Sequence, residues 1–201
     1  MKKTIQLLTV AALLISSSVF AFGPAVDQAA PNFTLTDVNG KKVSLSDFKG
    51  KTVVLEWVNF DCPFVKKHYG SGNMQSLQKK YTEKDVVWLS ICSSAPDKEG
   101  NFTSGEVKEK LKERNAVPSH YLFDERGTVG KLYAAKTTPH MFIINKEGIL
   151  VYAGAIDDTP STSKDDIKTA KNYVTAALDA VLAGKPVETK TTSSYGCSVK
   201  Y

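Results

Sequence analysis

The stretch VVLEWVNFDCPFVKKH, Val53–His68, decides the fold. It begins with mostly apolar and β-branched residues over Val53–Val58, which is typical of a strand buried on both faces of a parallel sheet. Asp61 then offers a helix cap, and Pro63 suits the first helical turn, where its missing N–H is not needed. The stretch therefore predicts a strand, a short turn and a helix with Cys62 at its N-terminus.

A cysteine at this position is expected to be reactive. Free N–H groups and the helix dipole at the N-terminus stabilise the thiolate, which is the nucleophilic form of cysteine. Lys66 and Lys67 add positive charge one turn further on, and Asp61 opposes it. A buried, inert thiol is the commoner case for an arbitrary cysteine, but the strand–turn–Cys–Pro–helix context favours a reactive Cys62.

The composition is that of an ordinary globular chain. It has 201 residues, of which 42% are hydrophobic and 23% charged, enough for one domain with a proper core. The formal charge is +5, to which Lys2 and Lys3 contribute, and the other basic residues are scattered. This pattern does not call for a nucleic acid or an anionic membrane as partner.

The first 21 residues have the pattern of a bacterial secretory signal. Lys2 and Lys3 precede an apolar run, Ile5–Ile15, and Val19–Ala21 fits the small-x-small cleavage rule. We expect cleavage after Ala21 and a periplasmic or secreted protein, where disulfides can persist. The apolar run is too short to span a bilayer comfortably, and no later segment could, so no membrane span is expected.

The remaining pattern is a regular alternation of strands and helices. Asn39-Gly40 lies between two alternating runs and predicts a β-hairpin. Further expected elements are two helical pieces separated at Gly70–Asn73, strands at Asp85–Cys92 and Pro118–Phe123, helices at Ser104–Asn115 and Val129–Ala134, an antiparallel pair turning at Asn145–Gly148, and a last helix over Lys164–Ala183.

In this order the elements resemble the thioredoxin fold. More closely, Ala30–Leu35 (APNFTL) and Leu45–Lys51 (LSDFKGK) resemble the redoxin branch, the alkyl hydroperoxide reductase and thiol-specific antioxidant superfamily. The resemblance covers Ala30–Gly184, within an expected domain at 22–184. It implies an α/β, three-layer fold in which a central mixed sheet has helices on both faces and an N-terminal β-hairpin extension.

The resemblance also implies site residues. Pro139 is expected to be cis, with the backbone of Thr138 beside the active cysteine, so that the two shape a substrate groove. The chain departs from the family patterns near Cys62. Val65 replaces the second sulfur of Cys-x-x-Cys, Asn59 stands where peroxiredoxins have Thr or Ser, and Leu55 replaces their proline.

Turnover by a single reactive thiol needs a second, resolving thiol. Cys197 lies in the segment 185–201, expected to be a flexible tail, and chain length does not limit its reach. Cys92 ends a strand predicted to lie parallel to Val53–Val58, but a fixed strand end need not meet disulfide geometry. We favour Cys197 as the resolving thiol and a packing role for Cys92. The reverse assignment, a free surface Cys197 and an intermolecular bridge stay open.

The sequence thus predicts an exported thiol oxidoreductase that acts on a peroxide or a protein disulfide and is restored by an external thiol reductant. No nucleotide, haem or flavin motif is visible, and no cofactor or metal is expected. A copper-binding protein is an alternative, although Lys66 breaks the Cys-x-x-x-Cys spacing of such relatives; its site would combine Cys62, Cys92 and His140. A non-catalytic binding module is another. His68 is expected at the surface, and His120 has no obvious partner.

Overall fold

The computed structural model describes residues 23–201, so the predicted signal segment at 1–21 and its cleavage site lie outside the described residues. Short 3-10 turns lie at Leu45–Phe48 and Asp165–Lys168. The strands and helices are β1 (Thr34–Asp37), β2 (Lys42–Ser44), β3 (Val53–Trp57), α1 (Pro63–Gly70), α2 (Asn73–Thr82), β4 (Val87–Cys92), α3 (Ser104–Glu113), β5 (His120–Phe123), α4 (Thr128–Leu132), β6 (Thr137–Thr138), β7 (His140–Ile144), β8 (Leu150–Gly154), α5 (Tyr173–Leu182) and β9 (Cys197–Ser198).

Seven strands form one mixed sheet in the order β2-β1-β5-β4-β3-β7-β8. Strands β3, β4 and β5 are parallel, whereas β1, β7 and β8 pair antiparallel with their neighbours. Two hydrophobic clusters cover the two faces: α1, α2, α3 and α5 pack on one, α4 on the other. The predicted three-layer α/β fold is confirmed, as are the hairpins at Asn39-Gly40 and Asn145–Gly148.

Strand β3 is buried along its whole length, as its sequence predicted. Val54 belongs to one face of the sheet, and Leu55 and Trp57 belong to the other. The parallel register pairs Trp57 with Ile91, so the carboxyl ends of β3 and β4 lie at the same sheet edge. This edge is where the chain leaves β3 for Cys62. In residues 23–201, no helix is both long and apolar enough to cross a bilayer.

Helix α1 begins one residue later than the Asp61 cap predicted. Cys62 itself is the N-cap residue, with extended backbone angles, and Pro63 is the first helical residue. Asn59 explains the shift, because its side-chain oxygen accepts from the Asp61 N–H at 2.9 Å and its carbonyl accepts from the Cys62 N–H at 3.1 Å. The predicted break after α1 is confirmed at Gly72, whose φ of +78° turns the chain into α2.

The last helix is shorter than the predicted Lys164–Ala183. Helix α5 covers only Tyr173–Leu182, and the Asn172 side chain caps it by accepting from the Thr175 N–H at 2.8 Å. Asn172 also forms an isolated β-bridge with Asp157, and this pairing holds the preceding chain out of the helix.

The segment 185–201 differs from the expected flexible tail because it packs along the domain. Thr191 bridges to Ala153, the Thr192 hydroxyl accepts from the Ala155 N–H at 2.8 Å, and β9 pairs with β6. Backbone pairing with residues far along the chain holds the segment in place. The polarity of the local sequence does not indicate such long-range pairing. The Thr/Ser-rich composition therefore gave the wrong expectation.

Candidate active site

Cys62 lies at the N-terminus of α1, directly beneath the loop that carries Pro139. The Thr138–Pro139 peptide bond is cis, as the resemblance to the thioredoxin fold implied. The Cys62 thiol donates to the Thr138 carbonyl oxygen at 3.0 Å, and no surface of Cys62 is exposed. The structure thus brings three of the predicted site residues, Cys62, Thr138 and Pro139, into one place.

Cys197 is the fourth residue at this place. It sits in β9, antiparallel to β6 and directly opposite Thr138, and its side chain lies next to that of Cys62. The close approach depends on Gly196, which has a φ of +129°. A Cβ atom there would come within 2.1 Å of the Thr138 carbonyl oxygen, so only glycine lets β9 lie against β6 in this way.

The two thiols differ in acidity. Burial opposes ionisation of Cys62, but the side chains of Cys197 and Thr138 and the Val65 N–H stabilise the thiolate and lower its pKa overall. Burial raises the pKa of Cys197 to about 12, and its hydrogen bond to Cys62 and the negative charge there act in the same direction. Cys62 is therefore the more acidic thiol of the pair, and Cys197 is the less acidic one.

Cys92 belongs to the core. It is buried, its thiol donates to the Gly100 carbonyl oxygen at 3.3 Å, and it contacts the Tyr121 hydroxyl. All three cysteines are free thiols in the structure. These contacts fit the packing role expected for Cys92, while Cys197 rather than Cys92 contacts Cys62.

The candidate copper ligands are not assembled. Across residues 23–201, no group of three or more His, Cys, Asp or Glu side chains could hold a metal ion. His140 lies instead on the Phe142 ring, at 4.4 Å between ring centroids, and its Nδ1 accepts from the Lys136 N–H at 3.3 Å. The Cys62–Cys92–His140 site of the copper alternative therefore does not form.

Two of the histidine expectations were wrong. His68 is fully buried rather than at the surface, because the face of α1 turned away from Cys62 packs against Asp157 and Tyr195. Burial lowers the pKa of His68 to about 4. His120 does have a partner, since its Nδ1 lies 3.1 Å from the Asp37 carboxylate.

Glu56 is a buried acid that the sequence reasoning passed over. It lies in β3, and its carboxylate accepts from the Trp88 Nε1–H and the Ser90 hydroxyl, both at 2.8 Å, and from the Tyr69 hydroxyl at 2.9 Å. Burial raises its pKa despite these donors. The sequence did contain a sign of this network, because Glu56 is the single acidic residue within an apolar strand. The network ties α1 to β3 and β4, and none of its donors comes from Cys62 or Cys197.

His140 gives the stability a specific pH dependence. Burial lowers its pKa to about 4, and the Lys136 charge acts in the same direction, whereas an unfolded histidine titrates near 6.5. Between these values the unfolded chain binds the proton and the folded one does not, so stability present above pH 6.5 is lost as the pH falls. Relative to His140→Gln, the natural protein should lose about 2–3 kcal/mol of unfolding free energy between pH 7.5 and 4.5.

Urea unfolding of both proteins at these two pH values measures this difference, and the other titrating groups cancel in the comparison. Identical pH dependences in the two proteins would contradict the assignment of a buried, neutral His140.

A thiol at a helix N-terminus beneath a cis-proline loop, on an open mixed sheet, defines a thioredoxin-fold thiol protein. The AhpC/TSA family model matches residues 26–153, and the chain belongs to this family. It is therefore a thiol-dependent oxidoreductase.

Its relatives agree with this class. The chain is 30% identical over 162 residues to the thiol-disulfide oxidoreductase ResA of Bacillus cereus, covering 75% of this chain and 88% of that protein. It is similar to the crystal structure of an uncharacterized conserved protein from Geobacillus kaustophilus, at 31% identity and a TM-score of 0.74, over 90% of this chain and 94% of that one.

A more distant similarity concerns the fold alone. The thioredoxin domain of a thiol-disulfide oxidoreductase from Bacteroides vulgatus matches with 19% identity and a TM-score of 0.53, over 73% of this chain and 97% of that one.

Proposed function

We propose that this protein reduces disulfides of protein substrates outside the cytoplasm, with Cys62 as nucleophile and Cys197 as resolving thiol. The observation that carries the proposal is the pairing of Cys197 with Thr138, which puts a second thiol against Cys62. A fixed pair of thiols is what two-electron thiol–disulfide exchange needs. The chain supplies that pair without a Cys-x-x-Cys motif.

The reaction takes two exchange steps. The Cys62 thiolate attacks one sulfur of the substrate disulfide, forms a mixed disulfide and releases the other substrate sulfur as a thiolate. Cys197 loses its proton and attacks the Cys62 sulfur, which releases the second substrate thiol and leaves a Cys62–Cys197 disulfide. The substrate gains two electrons and the protein loses two. An external thiol reductant then restores the dithiol.

The acidity of the two thiols sets the order of these steps. Burial raises the pKa of Cys197 to about 12, and its hydrogen bond to Cys62 and the negative charge of the Cys62 thiolate contribute to this shift. The mixed disulfide removes that charge, so Cys197 ionises more readily only after a substrate has been captured. Cys197 therefore becomes a nucleophile after the mixed disulfide has formed, and it then resolves that disulfide.

Several features favour a disulfide over a peroxide as the substrate. Asn59, which stands where peroxiredoxins have a hydroxyl, directs its side chain to Glu99 and to the Asp61 N–H. An edge of backbone, β6, lies beside Cys62 and suits an extended polypeptide better than a small oxidant. The similarity to ResA, whose name is that of a thiol-disulfide oxidoreductase, points in the same direction.

The proposed location rests on sequence. The basic and apolar pattern of residues 1–21 is that of an exported chain, and an oxidising compartment would supply the disulfide-bearing substrates.

The test compares the two oxidants on the reduced protein. Insulin, as a protein disulfide, and hydrogen peroxide are each added at one equivalent, and thiols and disulfides are mapped by mass spectrometry over time. We expect insulin to produce the Cys62–Cys197 disulfide and two new substrate thiols, faster than peroxide oxidises Cys62. Cys92→Ala should react in the same way. Rapid oxidation by peroxide with insulin left intact would overturn the proposal.

A further inference from the structure

The reactive thiol is covered by the protein's own C-terminal strand. Cys62 has 0% of its surface exposed, although the N-terminus of α1 lies at a sheet edge. Cys197 in β9 lies next to the Cys62 side chain, and β9 pairs with β6, whose Thr138 carbonyl oxygen accepts from the Cys62 thiol. Thiol exchange needs direct contact between sulfur atoms, so a substrate sulfur cannot reach Cys62 while β9 occupies this place.

The strand is held on both sides of Cys197. After it, the Val199 N–H donates to the Lys136 carbonyl oxygen at 3.1 Å, and the Tyr201 hydroxyl donates to the Ala135 carbonyl oxygen at 2.8 Å. Before it, the Tyr195 hydroxyl donates to the Asp157 carboxylate. Tyr195 and Val199 each lie two residues from Cys197, but only Tyr195 is held through its side chain, so a single substitution can remove this contact and leave the backbone unchanged.

The Tyr195 contact ends in a buried charged cluster. The Lys67 ammonium lies 3.5 Å from Asp157 Oδ2 and donates to the Thr159 carbonyl oxygen at 2.8 Å, and both charged side chains are buried. Neutral His68 donates from Nε2 to the Tyr195 oxygen at 3.2 Å, since its Nδ1 accepts from Asn73 at 2.9 Å. The cluster links α1, the helix of Cys62, to the strand that covers Cys62.

We propose that β9 is a gate over Cys62, that the Tyr195–Asp157 hydrogen bond is its latch, and that an extended, cysteine-bearing segment of the substrate replaces β9 on β6. The nature of the incoming segment rests on the proposed function. When β9 leaves, the backbone groups of β6 lose their partners, and an added strand is the ligand that satisfies them. In the same register, a substrate cysteine would occupy the position of Cys197.

The gate also explains how product leaves. After the mixed disulfide forms, Cys197 must return to the Cys62 sulfur to resolve it. Cys197 returns as part of β9, which competes with the substrate segment for the same edge of β6. Resolution and displacement of the substrate are therefore one movement.

The first test measures the accessibility of Cys62 in the reduced full-length protein. Alkylation by iodoacetamide is followed at each cysteine by mass spectrometry, with buried Cys92 as internal reference. Tyr195→Phe keeps the ring but removes the latch, and because a hydrogen bond to a charged group is lost, Cys62 should be alkylated about tenfold faster. Tyr81→Phe, which removes a tyrosine–aspartate hydrogen bond of 2.9 Å between α2 and Asp179 of α5, is the matched control and should leave the rate unchanged.

The second test asks what fits the vacated edge. Gly196→Ala in the full chain should keep β9 off β6, because the added Cβ would meet the Thr138 carbonyl oxygen. A labelled peptide of residues 193–201 carrying Cys197→Ser should then bind this variant and not the natural protein. The same peptide with an added Gly196→Ala change should bind more weakly.

Equal Cys62 alkylation in the natural protein and in Tyr195→Phe would overturn the gate, and so would failure of the peptide to bind the Gly196→Ala variant. Neither test requires turnover. A protected Cys62 in a protein that fails to reduce insulin would refute the proposed function alone, and active reduction with an unprotected Cys62 would refute the gate alone.

Discussion

Cys197→Ser should stop turnover while leaving the first attack intact. Cys62 would still attack a protein disulfide, but no intramolecular thiol would release the mixed disulfide, and an external thiol would have to replace one held in contact. Loss of that effective molarity should lower the reduction rate by about 10³-fold or more. A covalent protein–substrate adduct, visible on a non-reducing gel and joined through Cys62 by mass spectrometry, should accumulate in its place.

The other two cysteines provide the controls. Cys62→Ser should show neither turnover nor adduct, because the nucleophile is gone. Cys92→Ala should keep turnover, since its thiol contacts the Gly100 carbonyl and the Tyr121 hydroxyl. If Cys92→Ala accumulated the adduct and Cys197→Ser turned over normally, the resolving role would belong to Cys92.

Asp157→Ala should be the most destabilising single change at the buried cluster. It leaves the Lys67 ammonium, whose side chain has 0% exposure, without its counter-charge, and it removes the acceptor of Tyr195. Breaking a buried ion pair from one side costs about 3–5 kcal/mol, measured here as a loss of unfolding free energy in urea. Adding Lys67→Met should recover part of that loss, because the stranded charge is then gone.

Asp165→Ala is the matched control for this change. Its partner Lys168 lies at 2.8 Å, closer than Lys67 lies to Asp157, but both side chains are exposed. An exposed pair contributes about 0–1 kcal/mol, so the control should unfold almost as the natural protein does. Equal losses in the two variants would show that burial of the Lys67–Asp157 pair has no special weight.

The central part of the fold could be predicted because it depends on interactions between residues close in sequence. The apolar run of β3, the proline after Cys62 and the glycine at 72 each act through neighbouring residues, and the structure has the strand, helix and break they predict. The exact cap was missed because Asn59, three residues before Cys62, competes with Asp61 for control of the turn.

Long-range partners explain what the sequence did not reveal. The burial of His68 depends on Asp157 and Tyr195, which lie far along the chain and give no periodic pattern with it. The order of the C-terminal segment likewise depends on pairing between Thr138 and Cys197. The length of chain before Cys197 was enough to favour it as the partner of Cys62. The short strand β9, which holds Cys197 beside Cys62, could not be predicted from the sequence.

The pairing of Cys197 with Thr138 has a thermodynamic consequence. A covalent link from Cys62 to Cys197 would close nearly the whole domain into one ring, and closing a loop of this size removes unfolded-state entropy equivalent to about 5 kcal/mol. Folding and disulfide formation form a closed thermodynamic cycle. The free energy by which the disulfide stabilises the fold therefore equals the free energy by which the fold stabilises the disulfide. Since 1.4 kcal/mol corresponds to about 30 mV for two electrons, unfolding should raise the reduction potential of the couple by about 100 mV.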